Sequence, residues 1–172
     1  SNASKVFSLG WRNPFRFAIH PLTGELYGGD VGWTTWEEVN TGRGKNFGWP
    51  CYEGGAGVSL QQPGYASNAG TVTRCNQLYQ LGTNAVQASV YAYDWATTGG
   101  ASVQAGGFYM GEVYPAQYQN ALFIEDYTRD WIKYLTFDGN GQATVNDFAS
   151  DVSTAGGPVQ LITGPDTNLY YV

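Results

Sequence analysis

Apolar and polar residues alternate along several stretches of the chain, and turn-forming residues separate these stretches. Three strand–turn–strand cassettes share the pattern and lie at residues 15–30, 121–137 and 158–172. In the first and last cassettes a Pro-containing turn joins the two strands, and a Leu-Tyr pair opens the return strand. Because alternation with a period of two is typical of half-buried strands, each cassette predicts a β-hairpin.

The return strands begin at Leu26, Leu122 and Leu169, so the last interval is 47 residues and the first, at 96, is about twice as long. A period in the high forties, with hairpins inside each unit, is typical of four-stranded propeller blades. One further unit is then expected around residues 89–95. Residues 52–88 fit no blade, since Gly, Gln, Asn and Ser dominate them, and we predict a long loop insertion there.

The fold class predicted from this pattern is all-β, a partial β-propeller of about three to four blades, each a four-stranded antiparallel sheet. The composition agrees, since the chain has 24 Gly, 16% aromatic and only 13% charged residues. Gly favours tight turns, and aromatic side chains favour half-buried strands. An unclosed propeller leaves strand edges or a blade face uncovered. We therefore expect either missing blades of a longer parent chain or a second copy to close the ring.

The charge balance excludes one class of partner. The chain has 8 Lys and Arg against 14 Asp and Glu, with a net charge of −6, whereas nucleic-acid phosphates require clustered Lys and Arg.

No apolar run is long enough to predict a membrane-spanning helix. The first three residues, Ser-Asn-Ala, are typical of a remnant left by an expression tag. The partial propeller domain is assigned to residues 4–172.

The two cysteines, Cys51 and Cys75, lie in polar, loop-like surroundings. They predict a disulfide that closes the excursion between them; two unpaired buried thiols are the alternative. Acidic, Lys-poor, loop-rich chains are typical of exported proteins, which favours the disulfide and an extracellular or periplasmic location. No cysteine spacing indicates a zinc site, and a single His cannot complete one.

Three motifs connect the chain to a known family. They are Gly-Trp-Arg-Asn-Pro-Phe-Arg-Phe-Ala at residues 10–18, Gly-Lys-Asn-Phe-Gly-Trp-Pro at 44–50, and Ala-Leu-Phe-x-x-Asp-Tyr-x-x-Asp-Trp-Ile at 121–132. With these motifs the chain resembles the glucose/sorbosone dehydrogenase family over most of its length outside the insertion. The resemblance implies a six-bladed propeller that holds pyrroloquinoline quinone (PQQ) and calcium at one end of its central channel and oxidises aldose sugars.

The Arg-Asn-Pro motif corresponds to residues that contact the quinone in catalytic members of the family, which assigns Arg12 and Asn13 to cofactor binding. A planar guanidinium suits the carboxylates and quinone oxygens of the cofactor. The alternative is structural: Arg12 stacks on Trp11 and braces the turn before the first strand, while Asn13 caps that turn.

The resemblance also implies metal ligands. The family's acidic residue and following Gly-Pro carbonyl pair correspond to Asp30, Gly32 and Trp33, and a downstream acidic-x-Asn element corresponds to Glu38 and Asn40. Calcium prefers such carboxylate and carbonyl oxygens. In the alternative interpretation, the acidic side chains hydrogen-bond local backbone amides without any metal.

Two departures from the family pattern argue against an active enzyme. The catalytic His of relatives lies upstream of the Arg-Asn-Pro motif, and the only His here, His20, precedes a turn and is expected to hydrogen-bond locally. Relatives also carry basic residues before the final turn and strand, where this chain has Gly157 and Val159. No residue of this chain is therefore assigned as catalytic.

We therefore expect a fragment of a glucose/sorbosone dehydrogenase-like protein that is inactive alone. PQQ and calcium are implied for the full-length parent, which would oxidise aldoses, and neither is assigned to the fragment itself. The alternative is a non-catalytic module of a secreted protein that binds a carbohydrate or a protein. Seven aromatic residues are candidates for a sugar platform or for core between blades: Trp33, Trp36, Trp49, Tyr91, Tyr93, Trp95 and Trp131.

Overall fold

The computed structural model describes residues 2–55, 57–96, 101–152 and 157–172. These residues form three antiparallel sheets in which strands follow one another in chain order. The first sheet contains β1 (Pro14–Ile19), β2 (Leu26–Asp30), β3 (Trp36–Thr41) and β4 (Tyr91–Asp94). The second contains β5 (Val103–Phe108), β6 (Leu122–Asp126), β7 (Trp131–Phe137) and β8 (Ala143–Ser150). The third contains β9 (Leu161–Thr163) and β10 (Leu169–Tyr171).

The helices of the described residues are short. They comprise α1 (Pro63–Ala66) and α2 (Val72–Gln80), together with three 3-10 turns at Asn2–Lys5, Thr83–Ala85 and Ala116–Tyr118. None of the helices in the described ranges combines the length and the apolar character needed to cross a membrane. The predicted all-β architecture of four-stranded antiparallel sheets is confirmed, with two such sheets complete and the third represented by two strands.

The hairpin between β1 and β2 forms where the alternation predicted it. Gly24 has a positive φ of 72°, which closes the turn, and its N–H donates to the carbonyl of His20 at 2.9 Å. The Nδ1 of His20 accepts the backbone N–H of Leu22 at 3.2 Å. His20 therefore serves this turn, as expected, and its ring also lies 4.4 Å from that of Phe108.

The three sheets pack face to face through their first strands, because β5 lies against β1 on one side and β9 on the other. Strand β6 is buried on both faces. Leu122 and Ile124 belong to the core shared with the first sheet, whereas Phe123 belongs to the core shared with Leu161 of the third. A strand buried on both faces reads as a continuous apolar run, as residues 121–124 do.

The unit expected around residues 89–95 is the fourth strand of the first sheet and not a separate blade. β4 pairs with β3 in the register Trp36↔Asp94 and Val39↔Tyr91. The long interval between Leu26 and Leu122 therefore contains one sheet enlarged by an insertion between β3 and β4. Spacing alone could not distinguish an enlarged blade from two ordinary ones.

The insertion at residues 52–88 contains helix α2 in addition to loop. The only buried residue of α2 is Cys75, so the helix lacks the apolar stripe that would reveal it in the sequence. The predicted Cys51–Cys75 disulfide is present and anchors the helix. These cysteines pack with Tyr52 and Val86 in a small core of their own.

Gly29 of β2 marks a close approach between the first two sheets. A Cβ at this position would lie 2.8 Å from the backbone nitrogen of Ala105 and 2.8 Å from the Cα of Gln104, both in β5. Backbone atoms of a hydrogen-bonded strand cannot move aside as a flexible side chain would. Only glycine therefore permits this spacing between the sheets.

We expect Gly29→Ala to lower the free energy of unfolding by about 1–3 kcal/mol, because the added methyl group overpacks the sheet interface. Urea denaturation measures the change. Gly139→Ala is the matched control, since a Cβ at Gly139 meets nothing within 4 Å. Equal stabilities for the two variants would contradict the tight approach of the sheets.

Candidate functional site

The candidate site is organised around Asp30, the last residue of β2, whose side chain is buried. One carboxylate oxygen accepts the backbone N–H of Asn13 at 2.6 Å, and the other accepts that of Arg12 at 3.0 Å. The N–H of Val31 donates to the carbonyl of Asn13 at 3.1 Å. Burial raises the pKa of Asp30 to about 6, although the two N–H donors act in the opposite direction. These bonds fasten the Arg-Asn pair to the end of β2.

The side chains of this pair occupy different environments. The Nη1 of Arg12 donates to the carbonyl of Val31 at 3.0 Å, and its guanidinium carbon lies 5.5 Å from the ring centroid of Trp49. Trp49, rather than the neighbouring Trp11, is thus the aromatic partner of Arg12. The side chain of Asn13 is exposed. Arg12 is held in one orientation, and Asn13 is accessible to a ligand.

Glu38 and Asn40 lie together on β3, as the predicted acidic-x-Asn element requires. Asn40 donates its Nδ2 to a Glu38 oxygen at 2.8 Å, and the backbone N–H of Gly54 donates to the other oxygen. Glu38 is also the cross-strand partner of Asp30. Burial raises the pKa of Glu38 to about 7, and the nearby Asp30 carboxylate raises it further. The Oδ1 of Asn40 is buried without a hydrogen-bond partner.

The loop between β2 and β3 is held by two glutamates. Glu53 of the insertion accepts the backbone N–H of Trp33 at 2.7 Å and also bonds the side-chain amide of Gln62. Burial would raise the pKa of Glu53, but the hydrogen bonds from Gln62 and Trp33 outweigh it and lower the pKa. Glu37 accepts the N–H of Gly32 at 3.1 Å. Both loop positions expected near calcium therefore have their N–H groups fixed by carboxylates.

Acidic side chains alone do not assemble a metal site in the part of the chain that the structure describes. Among the described residues no group of three or more His, Cys, Asp or Glu is placed to hold a metal. Every carboxylate oxygen of Asp30 and Glu38 already accepts an N–H. Asn40 supplies one unpartnered oxygen, and the carbonyls of Gly32 and Trp33 stay a prediction. Calcium binding by these five residues stays a prediction.

The two positions at which the family pattern implies basic residues, Gly157 and Val159, carry no positive charge. A Cβ at Gly157 would collide with the backbone of Tyr127, so the position excludes any side chain. The carbonyl of Val159 instead accepts the Nε of Arg16, a residue of β1, at 3.1 Å. Arg16 thus brings a positive charge from the first sheet to the third. One arginine supplies only part of the positive charge that a quinone with several carboxylates would require.

Glu125 lies beside this segment and is fully buried. Its cross-strand partner in β5 is Gln104, whose Nε2 donates to the carbonyl of Pro158 at 3.2 Å. Both oxygens of Glu125 and the Oε1 of Gln104 have no hydrogen-bond partner. Burial raises the pKa of Glu125 to about 7, while the positive charge of Arg16 lowers it.

The seven candidate aromatic residues separate into different groups. Trp33 and Trp49 form a cluster with Tyr65 of α1, with ring centroids 5.4 Å apart for Trp33–Tyr65 and 5.1 Å for Trp49–Tyr65. This cluster lies beside Arg12, and Trp33 is 36% exposed. A second group, formed by Tyr91, Tyr93 and Trp131, lies between β4 and β7.

The remaining two indoles have structural surroundings. The Nε1 of Trp95 donates to Glu37 at 2.9 Å, and Trp36 packs against Gly54.

Sequence reasoning missed several residues that shape the site. Arg16 stands inside the Arg-Asn-Pro motif segment, but its partner is 143 positions away. Glu53 follows Cys51 in a Gly-rich loop, where no periodicity indicates burial. Glu125 interrupts an apolar strand, and that interruption was a signal of an unusual buried charge.

Comparison with known proteins gives one family. The family described as Glucose / Sorbosone dehydrogenase matches residues 1–172. No curated protein matches the chain in sequence.

Solved structures resemble the chain over most of its length. The apo form of the soluble aldose sugar dehydrogenase from Escherichia coli is 23% identical with a TM-score of 0.67, covering 98% of this chain and 43% of its own. The crystal structure of a glucose dehydrogenase is 21% identical with a TM-score of 0.66, covering 96% and 43%. The PQQ-bound aldose sugar dehydrogenase from Streptomyces coelicolor is 18% identical with a TM-score of 0.57, covering 91% and 35%.

At these identities the likeness shows the fold, which is a partial β-propeller. The chain spans about two fifths of the length of the first solved structures that it matches.

The buried acids predict how stability depends on pH. Burial raises the pKa of Glu37, Glu38 and Glu125 to about 7 each. A carboxyl group with a higher pKa in the folded than in the unfolded protein binds protons on folding. Its stabilising effect is complete below the unfolded value, near pH 4.5, and is lost as the pH rises through 7.

We expect Glu125→Gln to raise the free energy of unfolding at pH 8 by on the order of 1–3 kcal/mol and to change it little at pH 5, because glutamine imitates the neutral carboxyl. Urea denaturation at pH 5 and pH 8 measures the difference. Glu112→Gln, at an exposed position, is the control and should leave the pH dependence unchanged. An unaltered pH dependence in Glu125→Gln would argue against a charged Glu125 at pH 8.

Proposed function

Because the chain belongs to the glucose/sorbosone dehydrogenase family, we propose that it is part of a PQQ-dependent oxidoreductase of aldose sugars and supplies one wall of the cofactor site. The observation that carries this proposal is the clamp between buried Asp30 and the backbone of Arg12 and Asn13. The clamp holds the pair directly before β1, one of the first strands through which the sheets pack. Ligands of propellers commonly bind where such strands converge.

Arg12 and Asn13 perform distinct tasks in the proposed site. Arg12 is oriented by the carbonyl of Val31 and by Trp49, so its planar donors are fixed before a ligand arrives. A guanidinium of this kind binds a carboxylate or quinone oxygen through paired hydrogen bonds. The exposed amide of Asn13 both donates and accepts hydrogen bonds. The bound quinone would supply the group that takes two electrons from the sugar.

This chain alone is proposed to be inactive. Its one histidine, His20, accepts an N–H within the β1–β2 turn and is not placed to take a proton from a sugar hydroxyl. Gly157 and Val159 add no cation for the cofactor carboxylates. The proton acceptor and the remaining cofactor contacts are proposed to lie in the parts of the solved relatives that this chain does not cover.

The test is a titration of the chain with PQQ, followed by tryptophan fluorescence, with calcium present and absent. We expect saturable binding that weakens about 10-fold or more in Arg12→Gln, since a hydrogen bond to a charged group contributes about 1.5–3 kcal/mol. Arg74→Gln removes the same charge from an exposed position on α2 and should bind as the unmodified chain does.

Two results would contradict the proposal. Equal affinities of Arg12→Gln and Arg74→Gln would remove Arg12 from the cofactor wall. No saturable binding by the unmodified chain would favour the non-catalytic module instead. In a separate assay, reduction of a redox dye by the PQQ-loaded chain with an aldose would show that the chain is active by itself.

A further inference from the structure

A groove of about 570 Å³ lies between the first and second sheets. It opens beside β4, the edge strand of the first sheet, and so is separated by two strands from β1 and the Arg12 site. The described residues that line it are Tyr91, Tyr93, Thr128, Arg129, Trp131 and Lys133. Its volume is in the range of pockets that bind small molecules.

Strand geometry explains the composition of the groove. Tyr91 and Tyr93 are two residues apart on β4, and Trp131 and Lys133 are two residues apart on β7. The two side chains of each pair therefore lie on the same face of their strand. The ring centroids of Tyr91 and Tyr93 are 5.5 Å apart, and those of Tyr93 and Trp131 are 5.4 Å apart. The hydroxyl of Tyr93 donates to buried Asp126, which fixes the ring. The aromatic surface is therefore formed before any ligand binds.

The charged residues that line the groove among the described residues are both positive. The guanidinium carbon of Arg129 lies 4.7 Å from the Tyr93 centroid, and its Nη2 donates to the carbonyl of Asp94 at 2.6 Å. The ammonium of Lys133 lies 5.2 Å from the Trp131 centroid. Two cations over aromatic rings are notable in a chain with a net charge of −6.

Lys133 already binds a carboxylate of the protein itself. It forms an ion pair with its cross-strand partner Asp147, whose side chain is 88% exposed, while that of Lys133 is 23% exposed. An exposed ion pair contributes at most about 1 kcal/mol and is readily exchanged. Asp147 therefore shows how a carboxylate reaches this lysine, and it competes with any anionic ligand.

We propose that this groove binds a ring-shaped molecule that carries a carboxylate. The ring packs on Tyr91 and Trp131, because flat aromatic faces bind the apolar face of a sugar or an aryl ring. The carboxylate lies beside Lys133, which pairs with it through a charge-assisted hydrogen bond, and the positive charge of Arg129 attracts it to the same end of the groove. Uronic-acid sugars and aryl carboxylates share this chemistry. The site is independent of the cofactor wall at Arg12.

The experiment titrates the chain with four probes: glucuronate, glucose, benzoate and benzyl alcohol. Chemical shifts of the indole N–H groups report binding. We expect glucuronate to bind at least about 3-fold more tightly than glucose, or benzoate at least about 3-fold more tightly than benzyl alcohol, because only the carboxylates are attracted by the two cations. Preference for glucuronate would identify a sugar acid, and preference for benzoate an aryl acid. Equal binding of charged and uncharged probes would overturn the proposal.

Three variants test the residues. Lys133→Met should weaken binding of the preferred carboxylate, and Asp147→Asn should strengthen it by about 2- to 5-fold, because it removes the competitor of an exposed ion pair. Lys5→Met removes an exposed charge outside the groove and should change nothing. A purely structural role for the Lys133–Asp147 pair predicts no gain in Asp147→Asn. Unchanged affinity in both groove variants would reject the proposed site.

Discussion

Buried carboxylates that accept backbone N–H groups hold this structure together at the ends of its strands. Asp30 ends β2 and binds the segment that leads into β1, and Asp126 ends β6 and binds the N–H of Ser102, directly before β5. The same device therefore recurs in both complete sheets. Each carboxylate is desolvated and then compensated by several N–H donors, which is the condition for tolerating a buried acid.

Glu37 extends this device from one sheet to the next. It accepts the N–H of Gly32 in its own sheet at 3.1 Å and that of Val103, the first residue of β5, at 2.7 Å. The loop of the first sheet and the beginning of the second are thus fixed by one side chain. The excess of acidic residues in the sequence therefore partly serves the fold, because several of the carboxylates bind backbone N–H groups and do not face solvent.

Much of the fold could be predicted from the sequence, because hairpins are local. The alternation around Gly24 and the Leu-Tyr pairs that open the return strands identified the strands of the first and last cassettes. The spacing of the hairpins could not predict that β4 belongs to the first sheet. The pairing of Tyr91 with Val39 joins strands that the whole insertion separates along the chain. Helix α2 carries no apolar stripe, so in the sequence only the cysteine pair indicated where this segment is anchored.

The candidate site was predictable only in part, and for a physical reason. Arg12, Asn13 and Asp30 were assigned by resemblance, and the structure brings them together through backbone hydrogen bonds. The partners that complete the arrangement lie far along the chain, as with Arg16 and Val159. A strand pattern indicates which face a residue occupies but not which distant carbonyl or carboxylate it meets.

The insertion between β3 and β4 has a consequence for how such proteins diversify. The connection that contains it leaves β3 after Thr41 and returns at Val90, whose N–H donates to the carbonyl of Val39 at 2.9 Å, so the two ends of the connection meet on adjacent strands. Lengthening a loop with fixed ends adds little free energy, about 0.6 kcal/mol for each doubling. Residues 52–88 can therefore be exchanged without moving the ends of β3 and β4. Another segment in their place would remove Tyr65 from beside Trp33 and Trp49 and Glu53 from the β2–β3 loop, while β3 and β4 keep their register.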